Sequence, residues 1–179
     1  QDVVNAVNDF IGAQQIVTTS SSGAITSVTD FFGNTIRYDP KTGMPTSFVA
    51  SDGTTIASVS SVNEVLSNAG KDWETTDYWT VKIYDNLENR TYKFTIDAKE
   101  DVDSIFRRYA NFANTWRWDS AAHTRVYSGN DPSLRGYYIE YANTGTTRKP
   151  VWTPSVLRKD DGTVVSGLSY GGQGSSASR

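Results

Sequence analysis

"GAITSVTDFFGNTIRYDPKTGMPTSFVASDGTTIASVS", residues 23–60, sets Gly23, Gly33, Gly43 and Gly53 at an even ten-residue spacing. Between the glycines lie short runs rich in Thr, Ser and Val, with apolar residues at Ile25 and Val28, Ile36 and Tyr38, Phe48, then Ile56 and Val59. The segments Phe32-Gly33-Asn34, Asp39-Pro40-Lys41-Thr42-Gly43 and Ser51-Asp52-Gly53-Thr54 carry turn chemistry. Glycine takes the positive φ of a tight hairpin, and Asp or Asn seeds the turn through its side chain. The stretch therefore predicts a meander of about four short antiparallel strands. Stacked repeats need several similar units sharing one core, whereas these units differ in turn chemistry and the beat stops at Gly53. The glycines read as strand boundaries.

Downstream, Ser61-Val62-Asn63-Glu64 has capping-box spacing, with Val65 and Leu66 following and Gly70 as a stop, which predicts a short helix. Val81 and Ile83, then Tyr92, Phe94 and Ile96, alternate with polar residues across an Asp85–Asn89 turn and predict a hairpin with one wet face. Asp97 and Glu100 repeat the capping spacing. After them Val102, Ile105, Phe106, Tyr109, Phe112, Ala113 and Trp116 recur at helical steps, which predicts an amphipathic helix over about 98–115. Strands are expected near 123–127, 137–142, 151–158 and 163–170, the last two joined by Asp160-Asp161-Gly162. Upstream, Val3, Val7, Phe10 and Ile11 share one helical face behind an Asp2 cap.

The expected fold class is α+β: an antiparallel meander and hairpins packed on the 98–115 helix. A short N-terminal helical arm over 1–14 and a β-meander lobe over 15–70 precede an α+β core over 71–170. The Gly- and Ser-rich end, 171–179, has no apolar content and reads as a disordered tail.

Composition narrows the function classes. Seventeen Lys and Arg stand against twenty Asp and Glu, a net charge of -3, so there is no basic field for nucleic acid. Cysteine is absent, which removes disulfides, zinc–thiolate sites and thiol nucleophiles. No apolar run approaches the ~18 residues of a membrane span. One methionine with abundant Ser, Thr, Asn and Gly suits an exported or assembled protein, and a start at Gln1 suits a processed or a trimmed end.

The run Thr26-Ser27-Val28-Thr29-Asp30, Gly33-Asn34-Thr35, Arg37-Tyr38-Asp39 and Gly43 resembles the YD repeats of Rhs-type bacterial surface and toxin proteins. The likeness covers residues 23–55. It implies hairpins stacked into a shell and an architectural role.

Catalytic signatures are missing. His123 is the single histidine, and no nucleophile elbow, Walker loop or dinucleotide glycine fingerprint occurs. Asp72, Glu74, Asp77, Glu100 and Asp101 are the carboxylates from which a glycosidase pair would be drawn. Asp101-Val102-Asp103 and Asp160-Asp161-Gly162 offer hard oxygen ligands without the spacing of a calcium loop. No catalytic residue, metal or cofactor is assigned.

Two aromatic clusters, Trp73–Trp79 and Trp116–Asp119, interleave large rings with Asp, Glu and Arg. Such rings suit core packing, an interface between proteins, or stacking on a sugar. Trp73, Tyr78, Arg117 and Trp118 are the candidate ligand- or partner-binding residues. The expected function is a structural assembly protein, a virion or extracellular-appendage subunit binding copies of itself or other structural subunits. A glycan-binding module is the alternative and a carboxylate-based hydrolase a third reading.

Overall fold

The computed structural model describes residues 16–167. The readings at 1–14 and 171–179 lie outside the described residues. The glycine beat sits at the four turns joining β1 (Ile16–Thr19), β2 (Ile25–Thr29), β3 (Thr35–Tyr38), β4 (Pro45–Val49) and β5 (Thr55–Ser67). Each glycine is left-handed, with φ of +88°, +86°, +75° and +91° in chain order. Aspartates complete three of the turns: Asp30 accepts from the Phe32 and Asn34 amides, Asp39 from Lys41, and Asp52 from Thr54.

The helix expected at 61–66 is absent. Those residues continue β5, which pairs antiparallel with β6 (Thr75–Asp85) from Ala57↔Asp85 to Ser67↔Thr75. A capping box stabilises a helix only when enough turns follow it, and so short a helix is marginal in water. The strand ladder with β6 overrides that local signal. Asn68 at φ +55° and Gly70 at +86° form the reversal between the two strands rather than a helix stop. Ser60 and Asp77 are unpaired extra residues in this long hairpin, absorbed as bulges. β7 (Arg90–Ile96) completes a seven-stranded sheet in sequential order, β1 to β7, so one sheet runs continuously from both sides of residue 70.

Register separates the two faces of this sheet. On the inner face one row runs Val17, Val28, Ile36, Phe48, Ala57, Asp85 and Arg90, one residue per strand. On the outer face the neighbouring row runs Thr18, Ser27, Arg37, Ser47, Ser58, Tyr84 and Thr91. Period-two alternation thus puts the apolar set from Val28 to Ala57 under a cover and the hydroxyl set on the other side, while Val17 on the edge strand stays exposed. The cover is α1 (Asp101–Thr115), whose Val102, Phe106, Tyr109, Ala110 and Ala113 are buried against Ile36, Phe48, Val81, Ile83 and Tyr92. Its start is simpler than the capping spacing predicts, because Glu100 at the N-cap makes no side-chain bond.

Beyond α1 a second antiparallel sheet forms from β8 (Trp116–Asp119), β9 (Thr124–Tyr127), β10 (Tyr138–Asn143), β11 (Trp152–Arg158) and β12 (Val164–Gly167), in the order β12-β11-β10-β9-β8. Trp116 therefore opens a strand instead of extending the helical stripe.

These observations correct the expected fold class. The protein is β-rich: among the described residues 48% lie in the strands of two sheets and 12% are helical. It is not an α+β fold built on a long helix. The 15-residue α1 is about 22 Å long, against roughly 29 Å across seven strands. The helix covers part of one sheet face, and strand pairing organises the rest.

Candidate functional site

The most elaborate side-chain constellation joins the two sheets. Arg125 on β9 donates from Nε to Glu88 Oε2 at 2.7 Å, from Nη2 to Asp85 Oδ2 at 2.8 Å, and from Nη1 to the Trp116 carbonyl at 2.8 Å. Tyr92 donates to Glu88 Oε1 at 2.6 Å, Tyr141 to Glu88 Oε2 at 3.2 Å, and Tyr109 to Asp85. The other Asp85 oxygen accepts the Leu87 and Glu88 amides and so folds the β6–β7 turn. The Phe112 and Trp118 rings lie 5.1 and 5.6 Å from the guanidinium carbon, and Arg90 lies over Tyr92.

Asp85, Glu88 and Arg125 are each 0% exposed. Burial raises the Glu88 carboxyl above its ordinary range, with the Arg125 charge opposing and Asp85 assisting. Burial, then the Glu88 charge, pushes the Tyr92, Tyr109 and Tyr141 phenols far up. Burial disfavours the Arg125 charge, but Glu88, the two facing tyrosines and Asp85 outweigh it and hold the guanidinium charged. A hydrolase would need its carboxylate pair to face solvent, whereas these two are sealed. The cluster pins β6, β7, α1, β9 and β10 together. Sequence reasoning missed it because acidic residues in an Asp–Asn–Leu–Glu–Asn turn look solvated, and nothing local pairs them with Arg125 far downstream.

The four candidate binding residues fall in two places. Trp73, 63% exposed, and Tyr78, 37% exposed, belong to the β5–β6 hairpin. Arg117 and Trp118 are on β8. Arg117 is exposed and donates to the Asn114 carbonyl. Trp118 is half-buried, edge-on to Tyr141 at 5.0 Å, with Trp152 at 6.5 Å. His123, at φ +54°, stacks on Trp152 with ring centres 3.7 Å apart. Trp118, His123 and Trp152 thus form one aromatic group, with Trp118 over Arg125, that no sequence spacing announces.

Of the other carboxylates, Asp72 and Glu74 lie at the hairpin tip, where Glu74 accepts the Gly70 amide at 2.5 Å, and Asp77 is the bulged residue of β6 beside Tyr78. Glu100 and Asp101 begin α1. Asp103 is taken by Arg107 at 3.0 Å and Tyr38 at 2.5 Å. Asp161 accepts the Thr163 amide in the β11–β12 turn. Among the described residues no group of three or more His, Asp or Glu could hold a metal ion, and no helix is long and apolar enough to cross a membrane.

The outer sheet face has a different character. Besides the row containing Arg37 and Tyr84, the register sets Ser61, Lys82 and Lys93 in line, then Asn63, Thr80 and Thr95. No acidic residue occupies these rows. Arg37, Lys82 and Lys93 are exposed and make no ion pair among the described residues.

Comparison with protein-family models, with curated proteins and with solved structures returns no match for this chain.

Proposed function

We propose that the protein is a structural assembly subunit, of a virion or an extracellular appendage, that joins its neighbours through aromatic anchors and strand edges. The observation that carries this reading is the β5–β6 ribbon. β4 pairs with β5 only as far as Ser58, and β7 pairs with β6 only from Trp79. Residues 59–67 of β5 and 75–78 of β6 therefore each present one unpaired edge among the described residues. Open edges template pairing with another chain unless something covers them. Trp73 stands exposed beside the ribbon's turn, as an anchor awaiting a pocket does. The outermost strands add to this, because β1 exposes Ile16 and Val17 and β12 exposes Val164 and Val165.

Light scattering on the full chain across a concentration series tests the reading. Mass rising with concentration supports it. A monomer at the highest attainable concentration removes it and leaves the glycan-binding alternative, which draws on the same exposed Trp73 and Tyr78.

A further inference from the structure

The β5–β6 ribbon carries opposite charges at its two ends. Asp72 and Glu74 stand at the tip, with Lys71 as the only cation there. At the base, Lys82 stands directly opposite Lys93 on the outer face. Like charges in cross-strand register repel one another, and no acid in the adjoining outer rows relieves them. The tip cannot reach its own base, because Glu74 and Lys82 are roughly 27 Å apart along an extended strand. Tyr78 lies midway between them and is exposed.

We propose that a second copy of the chain docks on this ribbon about a two-fold axis. The two ribbons run antiparallel, outer face to outer face, and the acidic tip of each lies on the Lys82–Lys93 pair of the other. The two Tyr78 rings meet near the axis. This deepens the assembly reading and rests on it. A two-fold contact is self-complementary, so one patch must hold both halves of every interaction, and this ribbon holds both signs of charge on either side of a central aromatic. The product is a closed dimer, which salt loosens because the charges lie in exposed positions.

Two exposed-site variants test the pairing, with circular dichroism confirming that each folds. Lys82→Glu/Lys93→Glu makes both ends acidic, and Asp72→Lys/Glu74→Lys makes tip and base basic. Each alone is expected to raise the dimer dissociation constant more than roughly tenfold through like-charge contacts. A 1:1 mixture is expected to restore a mixed dimer, since every tip then faces an opposite base. If the unaltered chain associates but both variants associate equally well, or if the mixture restores nothing, the pairing is wrong while the assembly reading stands. An unaltered chain that stays monomeric overturns both. A monomer held by heparin through Lys82 and Lys93 assigns the face to an anionic glycan and likewise overturns the second-copy occupant.

Discussion

Arg125 donates to Glu88 at 2.7 Å across the junction of the two sheets, and neither side chain reaches solvent. Asp85 shares the same guanidinium. Removing the cation would therefore leave two carboxylates facing each other in a dry interior. Arg125→Met is expected to lower unfolding stability by about 3–5 kcal/mol. Urea denaturation read by tyrosine and tryptophan fluorescence measures this. A loss within the range of an ordinary surface change would show that the cluster does not pin the sheets.

Glu88 also gives stability a pH dependence of unusual sign. Its folded carboxyl is raised above the ordinary value of 4.5, chiefly by burial. Between 4.5 and the folded value the native state holds more protons than the unfolded chain, so stability falls as pH rises. The contribution is fully present below 4.5 and is lost on passing upward through the folded value. Asp52, Asp131 and Asp161 act the other way, because turn hydrogen bonds lower their carboxyls, and their contribution is lost as pH falls through the folded values below 3.8. Glu88→Gln is therefore expected to flatten the falling limb above pH 4.5 while keeping the acid limb. Parallel urea-midpoint curves for the two proteins would reject the assignment.

The glycine turns differ in what they tolerate. Gly23 and Gly33 both have positive φ, but a Cβ at Gly23 meets open space, whereas one at Gly33 comes within 3.2 Å of the Ser51 Cβ. The left-handed backbone alone costs an alanine about 1–2 kcal/mol. Gly23→Ala is expected to lose about that much and Gly33→Ala more, because neighbouring turns must also separate. Equal melting temperatures for the two variants would show that the Ser51 contact gives way freely.

The hairpins were legible because turn chemistry is local: Asp30, Asp39 and Asp52 act on amides two residues away, and each glycine fixes its own φ. The α1 stripe was legible for the same reason, since its period lies within one element. Ser61–Leu66 misled because a capping signal is also local, while the ladder that overrules it comes from β6, after the turn. The Asp85–Glu88–Arg125 cluster and the acid-free outer face are products of register and tertiary packing. Alternation shows that two sets of residues lie on opposite faces, but only the pairing of seven strands shows that Arg37 shares a row with Tyr84, and that Lys82 faces Lys93.

Trp73 and Trp118 read alike in the sequence, each a tryptophan among charged neighbours, yet their surroundings predict opposite responses to truncation. Trp73 is 63% exposed, so Trp73→Ala is expected to change stability by no more than about 0.5 kcal/mol. Trp118 packs edge-on to Tyr141 and lies over the Arg125 guanidinium, so Trp118→Ala removes ring contacts and opens the cluster to water. Being half-buried, it is expected to lose about 1–3 kcal/mol, less than a core tryptophan. Association should follow the reverse order, with Trp73→Ala lowering the scattering mass at a given concentration and Trp118→Ala leaving it unchanged where the protein remains folded. Denaturation and light scattering on the same two variants check both halves, and a folded Trp73→Ala protein that associates like the unaltered chain would remove Trp73 as an anchor.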